Sequence, residues 1–142
     1  MRYIFLALAA LLGSCASVQQ PAPVSTSFPG PSARTENPAI ASLMDGARAD
    51  TAAGRLANAA ASLERALRIE PRNPRLWQEL ARVRLMQGDY AQAENVAARS
   101  NSWAGGDGAL RAENWRLIAQ AREARGDADG ARAALEAAER QR

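Results

Sequence analysis

The chain has 142 residues, with 18 basic and 15 acidic side chains, no histidine and one cysteine. All basic residues are arginines, and their alternation with acidic residues is typical of solvated helix faces rather than of a nucleic-acid-binding surface. The single cysteine excludes an internal disulfide, and the abundance of alanine with only 5% aromatic residues favours packed helices over sheets.

The first 15 residues have the pattern of an export signal. Arg2 supplies a positive start, and the ten apolar residues 3–12 form a run too short for a stable membrane-spanning helix. The run leads into LGSC, which ends at Cys15 and resembles the bacterial lipobox, whose cysteine is acylated after cleavage. We therefore predict a lipoprotein signal peptide over residues 1–15 and lipidation of Cys15. The alternative is an ordinary signal peptide with an incidental cysteine.

The residue after Cys15 indicates in which membrane the lipid anchor is placed. Lipoproteins retained at the inner membrane often carry Asp after the acylated cysteine, whereas this chain has Ala16. The resemblance to bacterial lipoproteins therefore implies a lipid anchor in the outer membrane, with the protein facing the periplasm.

Residues 16–37 are predicted to form a flexible, disordered tether. They contain four prolines and several serines and threonines, and they have too little apolar surface to fold. A tether of this length reaches at most ~75 Å at ~3.4 Å per residue. One interpretation is that the length of the tether allows the following domain to lie at a distance from the membrane. The alternative is that the tether is a disordered leader whose length has no function.

The remainder, residues 38–142, contains an internal repeat. Gly54, Gly88 and Gly126 are 34 and 38 residues apart, and an alanine follows each of them at the same offset. This period and pattern resemble the tetratricopeptide repeat (TPR), a helix–turn–helix unit. The resemblance implies an all-α solenoid of about three repeats, near residues 40–73, 74–107 and 112–142. The alternative is a series of helical hairpins that matches the pattern by chance.

Within the repeats, small residues are predicted where the two helices approach closely, and glycine is predicted where the chain turns between them. Trp77 and Trp115 are expected to fill gaps between neighbouring repeats, where apolar burial stabilises the stack. Pro71 and Pro74 are expected to end one helix and begin the next. The close-approach positions are Ala47, Ala81 and Ala119 in the first helices and Ala59, Ala93 and Ala131 in the second helices.

Two departures from the repeat pattern are informative. Four extra residues separate the second and third repeats, and Trp103 stands where the first repeat has Ile69. Trp103 is either part of the core or part of a partner-facing loop. In the third repeat Glu139 and Gln141 replace apolar residues, which suits a terminal repeat whose outer face meets water.

The sequence contains no arrangement that indicates catalysis. There is no histidine to act as a general base and no cluster of cysteine and histidine to hold zinc. The glycines at 105–108 lack the lysine of a phosphate-binding loop. Asp127 and Asp129 are expected to cap a helix N-terminus. We therefore predict a binding protein rather than an enzyme, without cofactor, metal or small-molecule substrate.

TPR domains usually bind protein partners on the concave face formed by their first helices. We expect three arginines to cluster there around an apolar floor and to bind an acidic or mixed acidic–apolar segment. The alternative is an ordinary solvated face. The predicted partner-binding residues are Met44, Arg48, Arg75, Gln78, Arg82, Leu85, Met86, Arg116 and Gln120. The three arginines of the cluster are Arg48, Arg82 and Arg116, and the floor is Met44, Leu85 and Met86.

A lipobox, a proline-rich tether and a small TPR domain that includes LERALRIEPRNPRLW at 63–77 together resemble the LpoP-type lipoproteins of Gram-negative bacteria. That resemblance implies an outer-membrane activator of a class A penicillin-binding protein, the bifunctional peptidoglycan synthase of the cell wall. The alternative is a scaffold or assembly lipoprotein in outer-membrane, secretion or pilus biogenesis.

Overall fold

The computed structural model describes residues 37–141, which form helices joined by short turns and contain no strand. The helices are α1 (Pro38–Ala52), α2 (Leu56–Ile69), α3 (Pro74–Met86), α4 (Tyr90–Trp103), α5 (Gly108–Ala124) and α6 (Ala128–Glu139). The predicted signal peptide, Cys15 and all of the predicted tether except Asn37 lie outside the described residues. Between residues 37 and 141, no helix combines the length and the apolar character needed to cross a bilayer.

The turn inside each helical pair is built around the predicted glycine. Gly54, Gly88 and Gly126 have φ angles of 74°, 80° and 82°, a region that side chains with a Cβ rarely adopt. In each turn the residue after the glycine donates its N–H to a carbonyl five residues earlier, as in Arg55 N to Asp50 O at 2.8 Å. These bonds satisfy carbonyl groups that the end of the first helix leaves free.

Side chains at the helix N-termini determine where four of the helices begin. Asn37, Asn73, Asp107 and Asp127 each accept a hydrogen bond from a backbone N–H of the first turn. Proline follows the asparagine cap in both α1 and α3, where its missing N–H costs no helical hydrogen bond. The capping role predicted for Asp127 is thus confirmed, while Asn37 belongs to the helix cap rather than to the tether.

Each helix packs against the next one along the chain, and α3 packs in addition against α5. This is the arrangement of stacked helical pairs expected of a TPR solenoid, so the predicted all-α repeat fold is confirmed. The alanines predicted at the close-approach positions are all buried, because a larger side chain would push the paired helices apart. Trp77 and Trp115 are partly buried against the two core clusters.

The region between the second and third repeats differs from its prediction. The four residues that appeared as an insertion form the first turn of α5, which begins at Gly108 rather than at Ala112. The helices α3 and α5 therefore start one repeat length apart, and the extra residues lengthen α5. Trp103 is the last residue of α4 and is 39% exposed, so it lies at the surface rather than in the core.

Within residues 37–141, α6 is the last helix. Leu135 is 50% exposed, whereas Leu63, at the equivalent position of the first repeat, is 2% exposed. Leu63 packs in a core cluster with residues of the following repeat, including Leu76 and Leu80. Leu135 faces outward because no further helix follows α6 within the described residues.

Candidate protein-binding surface

A groove lies between α1 and α3, on the face formed by the first helices of repeats one and two. Its volume is about 270 Å³, and it exists because α3 packs on α5 while no comparable packing joins α1 to α3. We call it the α1–α3 groove. It is lined by Met44, Ala47, Arg48, Thr51, Ala52, Leu63, Glu79, Arg82, Val83 and Met86.

The groove brings together four of the residues predicted to bind a partner: Met44, Arg48, Arg82 and Met86. Met86 is 55% exposed, so its flexible thioether side chain is available to an incoming apolar group. Arg48 forms an ion pair with Asp45, with 3.2 Å between Nη1 and Oδ1. The groove is therefore an apolar depression with a polar rim.

The arginines farther along this face are balanced by carboxylates. Arg82 lies between Glu79 and Glu113, at nitrogen-to-oxygen distances of 3.1 and 3.3 Å, and Arg116 contacts the same Glu113 at 3.2 Å. The predicted cluster of three arginines is thus two arginines joined by a shared glutamate and a third, Arg48, paired separately. Because each guanidinium has a carboxylate partner, the face carries less free positive charge than its arginine content indicates.

Gln78 does not face a partner, and its predicted binding role is wrong. Its side chain is 7% exposed, and its Nε2 donates to Asn114 Oδ1 at 3.0 Å and to the Leu110 carbonyl at 3.4 Å. Asn114 in turn donates to Ser100 Oγ at 2.7 Å, and Ser100 donates to the Pro74 carbonyl at 2.7 Å. These hydrogen bonds join α3, α4 and α5 and fill the space between α3 and α5, whereas the equivalent space between α1 and α3 remains open.

The other residues predicted to bind a partner, Leu85, Arg75 and Gln120, lie on α3 and α5. Leu85 is partly buried against the second core cluster, so it supports the fold more than it lines the groove. Arg75 is exposed and lies 3.6 Å from Asp107. Gln120 is exposed on α5, outside the α1–α3 groove.

A second group of residues lies around the turn between α2 and α3 and the C-terminal half of α4, and apart from Trp103 the sequence did not indicate it as a site. The guanidinium carbon of Arg72 is 5.1 Å from the ring centroid of Trp103, and that of Arg99 is 5.4 Å from the ring of Trp77. Trp77 Nε1 donates to the Pro71 carbonyl at 2.8 Å. We call Arg72, Trp77, Arg99 and Trp103 the arginine–tryptophan patch. The exposed Trp103 was the one signal in the sequence that pointed to it.

Across residues 37–141 there is no group of three or more histidine, cysteine, aspartate or glutamate side chains placed to hold a metal ion. The surface features described above are the apolar groove, paired charges and the arginine–tryptophan patch. These are features of a surface that contacts another macromolecule.

Comparison with known proteins gives a consistent result. A family model described as tetratricopeptide repeat matches residues 50–113. Eight chains of solved structures match, among them the globular C-terminal domain of LpoP from P. aeruginosa. That domain is 51% identical in sequence with a TM-score of 0.69, and the match covers 70% of this chain and 94% of the LpoP chain. No curated protein matches the chain.

Proposed function

The chain belongs to the LpoP-like family of tetratricopeptide repeat proteins, and on that premise we propose that it binds and activates a class A penicillin-binding protein in peptidoglycan synthesis. The TPR fold of this family is a protein-interaction module. We propose further that the chain is not an enzyme and acts by stabilising an active state of the synthase.

The observation that carries this proposal is the similarity to the LpoP domain. It extends over 94% of that domain at 51% identity, which is more specific than a shared repeat fold. Proposals about location rest on the sequence: acylation at Cys15, an anchor in the outer membrane, and a tether that places the TPR domain in the periplasm within reach of a synthase.

Within the TPR domain, we propose the α1–α3 groove as a docking site for the synthase. Met44 and Met86 offer apolar surface to a partner side chain, while Arg48 and Arg82 at the rim are 62% and 40% exposed and can exchange their carboxylate partners for those of a ligand. Because exposed ion pairs contribute only ~0–1 kcal/mol, this exchange costs little.

The proposal is tested by measuring peptidoglycan synthesis by each purified class A penicillin-binding protein of the host, with and without residues 16–142 as a soluble protein. We expect a several-fold increase in polymerisation or crosslinking with one synthase. No change in rate, together with no binding in a pull-down, would contradict the proposal and leave a scaffold in envelope assembly as the explanation.

The role of the concave arginines is tested separately, by changing Arg48, Arg82 and Arg116 together to alanine. If these side chains contribute to docking, the affinity for the synthase falls while circular dichroism shows an intact helical fold. Unchanged affinity would show that this face is an ordinary solvated surface.

A further inference from the structure

The arginine–tryptophan patch differs from the concave face in its charge balance. Arg72 and Arg99 form no ion pair with any carboxylate of residues 37–141, and the same holds for Arg65 and Arg68 on the neighbouring α2. The carboxylate nearest in sequence, Glu70, accepts a hydrogen bond from Asn73 at 2.8 Å. The patch arginines therefore lack the carboxylate partners that most arginines of residues 37–141 have, such as Arg82 with Glu79 and Arg122 with Glu94.

Each of the two guanidinium groups of the patch lies close to a tryptophan ring. The guanidinium carbons of Arg72 and Arg99 are 5.1 and 5.4 Å from the ring centroids of Trp103 and Trp77, within the range of a cation–π contact. A guanidinium has five N–H groups and can bind a carboxylate through two parallel hydrogen bonds.

Apolar surface accompanies these charges. The ring of Trp103, which Arg72 contacts, is 39% exposed. Tryptophan and arginine are the residue types most enriched among those that dominate the energetics of protein interfaces. The combination of exposed apolar groups with unpaired arginines is thus more typical of a docking surface than of a solvated helix end.

We propose that the arginine–tryptophan patch is a second docking site, which binds an acidic segment of a protein partner. Carboxylates of the segment bind Arg72 and Arg99, and an apolar side chain of the segment packs against Trp103. The site is separate from the α1–α3 groove, and it does not depend on the partner being the synthase.

The distribution of charge favours a short protein segment over a nucleic acid or an anionic bilayer. The whole chain has a net charge of only +3, and acidic residues accompany its arginines on the other faces. A large polyanionic surface would meet those carboxylates as well as the patch. A short acidic segment contacts the patch alone, where the positive charge is concentrated.

The chain provides its own reporters for a test. It has three tryptophans, so the ¹⁵N-labelled protein (residues 16–142) gives three indole signals. Two of them belong to the patch, and the third, from Trp115 on α5, serves as an internal reference. The probe is a synthetic peptide of repeated Glu-Glu-Leu units, and the same peptide with glutamine in place of glutamate is its control. We expect the acidic peptide to shift the signals of Trp77 and Trp103 and to leave that of Trp115 unchanged.

Matched variants identify the groups responsible. In the double variant Arg72→Gln/Arg99→Gln, we expect at least about tenfold weaker peptide binding, because two charge-assisted contacts are lost. The control variant Arg132→Gln/Arg140→Gln removes the same charge from the exposed surface of the third repeat, at α6 and its C-cap. It should bind within about twofold of the wild type, because distant exposed charges are screened by salt.

Several outcomes would overturn the proposal. The first is that both double variants bind the acidic peptide equally weakly, and the second is that the glutamine peptide binds as tightly as the acidic one. The third is that the indole signals of Trp77 and Trp103 do not shift when the acidic peptide is added. The fourth is that the protein binds phosphatidylglycerol vesicles but not the peptide. A shift of the methyl signals of Met44 and Met86 alone would place the acidic segment in the groove instead. The peptide experiment contains no synthase, so a negative result would not contradict the proposed activation. A negative result in the activation assay would likewise not contradict peptide binding at the patch.

Discussion

The two junctions between repeats are built in different ways. Between repeats two and three, α3 packs on α5 through buried polar side chains, with Asn114 fully buried and bonded to Gln78 and Ser100. Between repeats one and two, α1 and α3 leave an apolar groove with Met44 and Met86 at its surface. Both junctions bury apolar core residues, but only the junction between repeats one and two leaves a groove between its first helices.

A similar contrast applies to the arginines. Those on the concave face are paired with carboxylates, whereas Arg72 and Arg99 of the patch contact tryptophan rings and have no carboxylate partner in residues 37–141. An arginine in an exposed ion pair has to exchange its carboxylate partner before it binds a ligand, whereas an unpaired arginine does not. Arginine content alone therefore does not indicate where a TPR surface binds.

The largest effect on stability is expected from Asn114→Ala at the closed junction. The substitution removes three hydrogen bonds and leaves Gln78 and Ser100 buried with fewer partners. We expect the free energy of unfolding to fall by about 2–3 kcal/mol, measured by urea denaturation. The control Asn95→Ala, at an exposed position of α4, should change it by less than about 0.5 kcal/mol. Similar losses in both variants would mean that the buried network does not hold the junction.

Intermediate effects on the free energy of unfolding are expected from Arg84, which connects repeats one and two, and from Arg122, which connects repeats two and three. Arg122 donates two hydrogen bonds to Glu94, at 2.8 and 2.5 Å, and one to the Gly130 carbonyl. Arg84 contacts Glu64 at 2.5 Å, but its Nε is buried without a partner. We expect Arg122→Gln to cost about 1–2 kcal/mol and Arg84→Gln about 0.5–1 kcal/mol in thermal or urea unfolding. The reverse order would contradict the view that the second junction is the tighter one.

The smallest effect on stability is expected from filling the open junction. Ala52 is exposed and lines the groove, so Ala52→Trp should change the free energy of unfolding by no more than about 0.5 kcal/mol. It should nevertheless block the groove and abolish stimulation of the synthase. Ala49→Trp, on α1 but outside the groove lining, is the matched control and should stimulate normally. Full stimulation by Ala52→Trp would exclude the groove as the docking site.

Much of the fold could be predicted from the sequence because its determinants are local and repeated. The turn glycines need a backbone conformation that other residues avoid, and the asparagine and aspartate caps bond to N–H groups two or three residues away. The buried alanines recur at one spacing because each helical pair meets its partner in the same way. Such signals can be read without knowledge of how the repeats stack.

The candidate sites were predicted less well, because they depend on how neighbouring repeats are placed. Gln78 occupies a position that usually faces a ligand, yet α5, which begins one turn earlier than expected, brings Leu110 and Asn114 against it. The stacking of Arg72 on Trp103 joins a loop to a helix end about thirty residues away. Both contacts join residues about thirty positions apart, so neither produces a periodic pattern in the sequence from which it could be predicted.

The sequence by itself determined the all-α repeat fold, the turn glycines, the buried alanines and the family, since each follows from short-range chemistry or from the order of residues. Only the tertiary structure decided that one junction is closed and the other open, that the concave arginines are paired, and that two arginines stack on tryptophans at the outer ends of the helices. The reason is physical: burial and ion pairing depend on distances between residues of different repeats, and the packing of whole helices sets those distances.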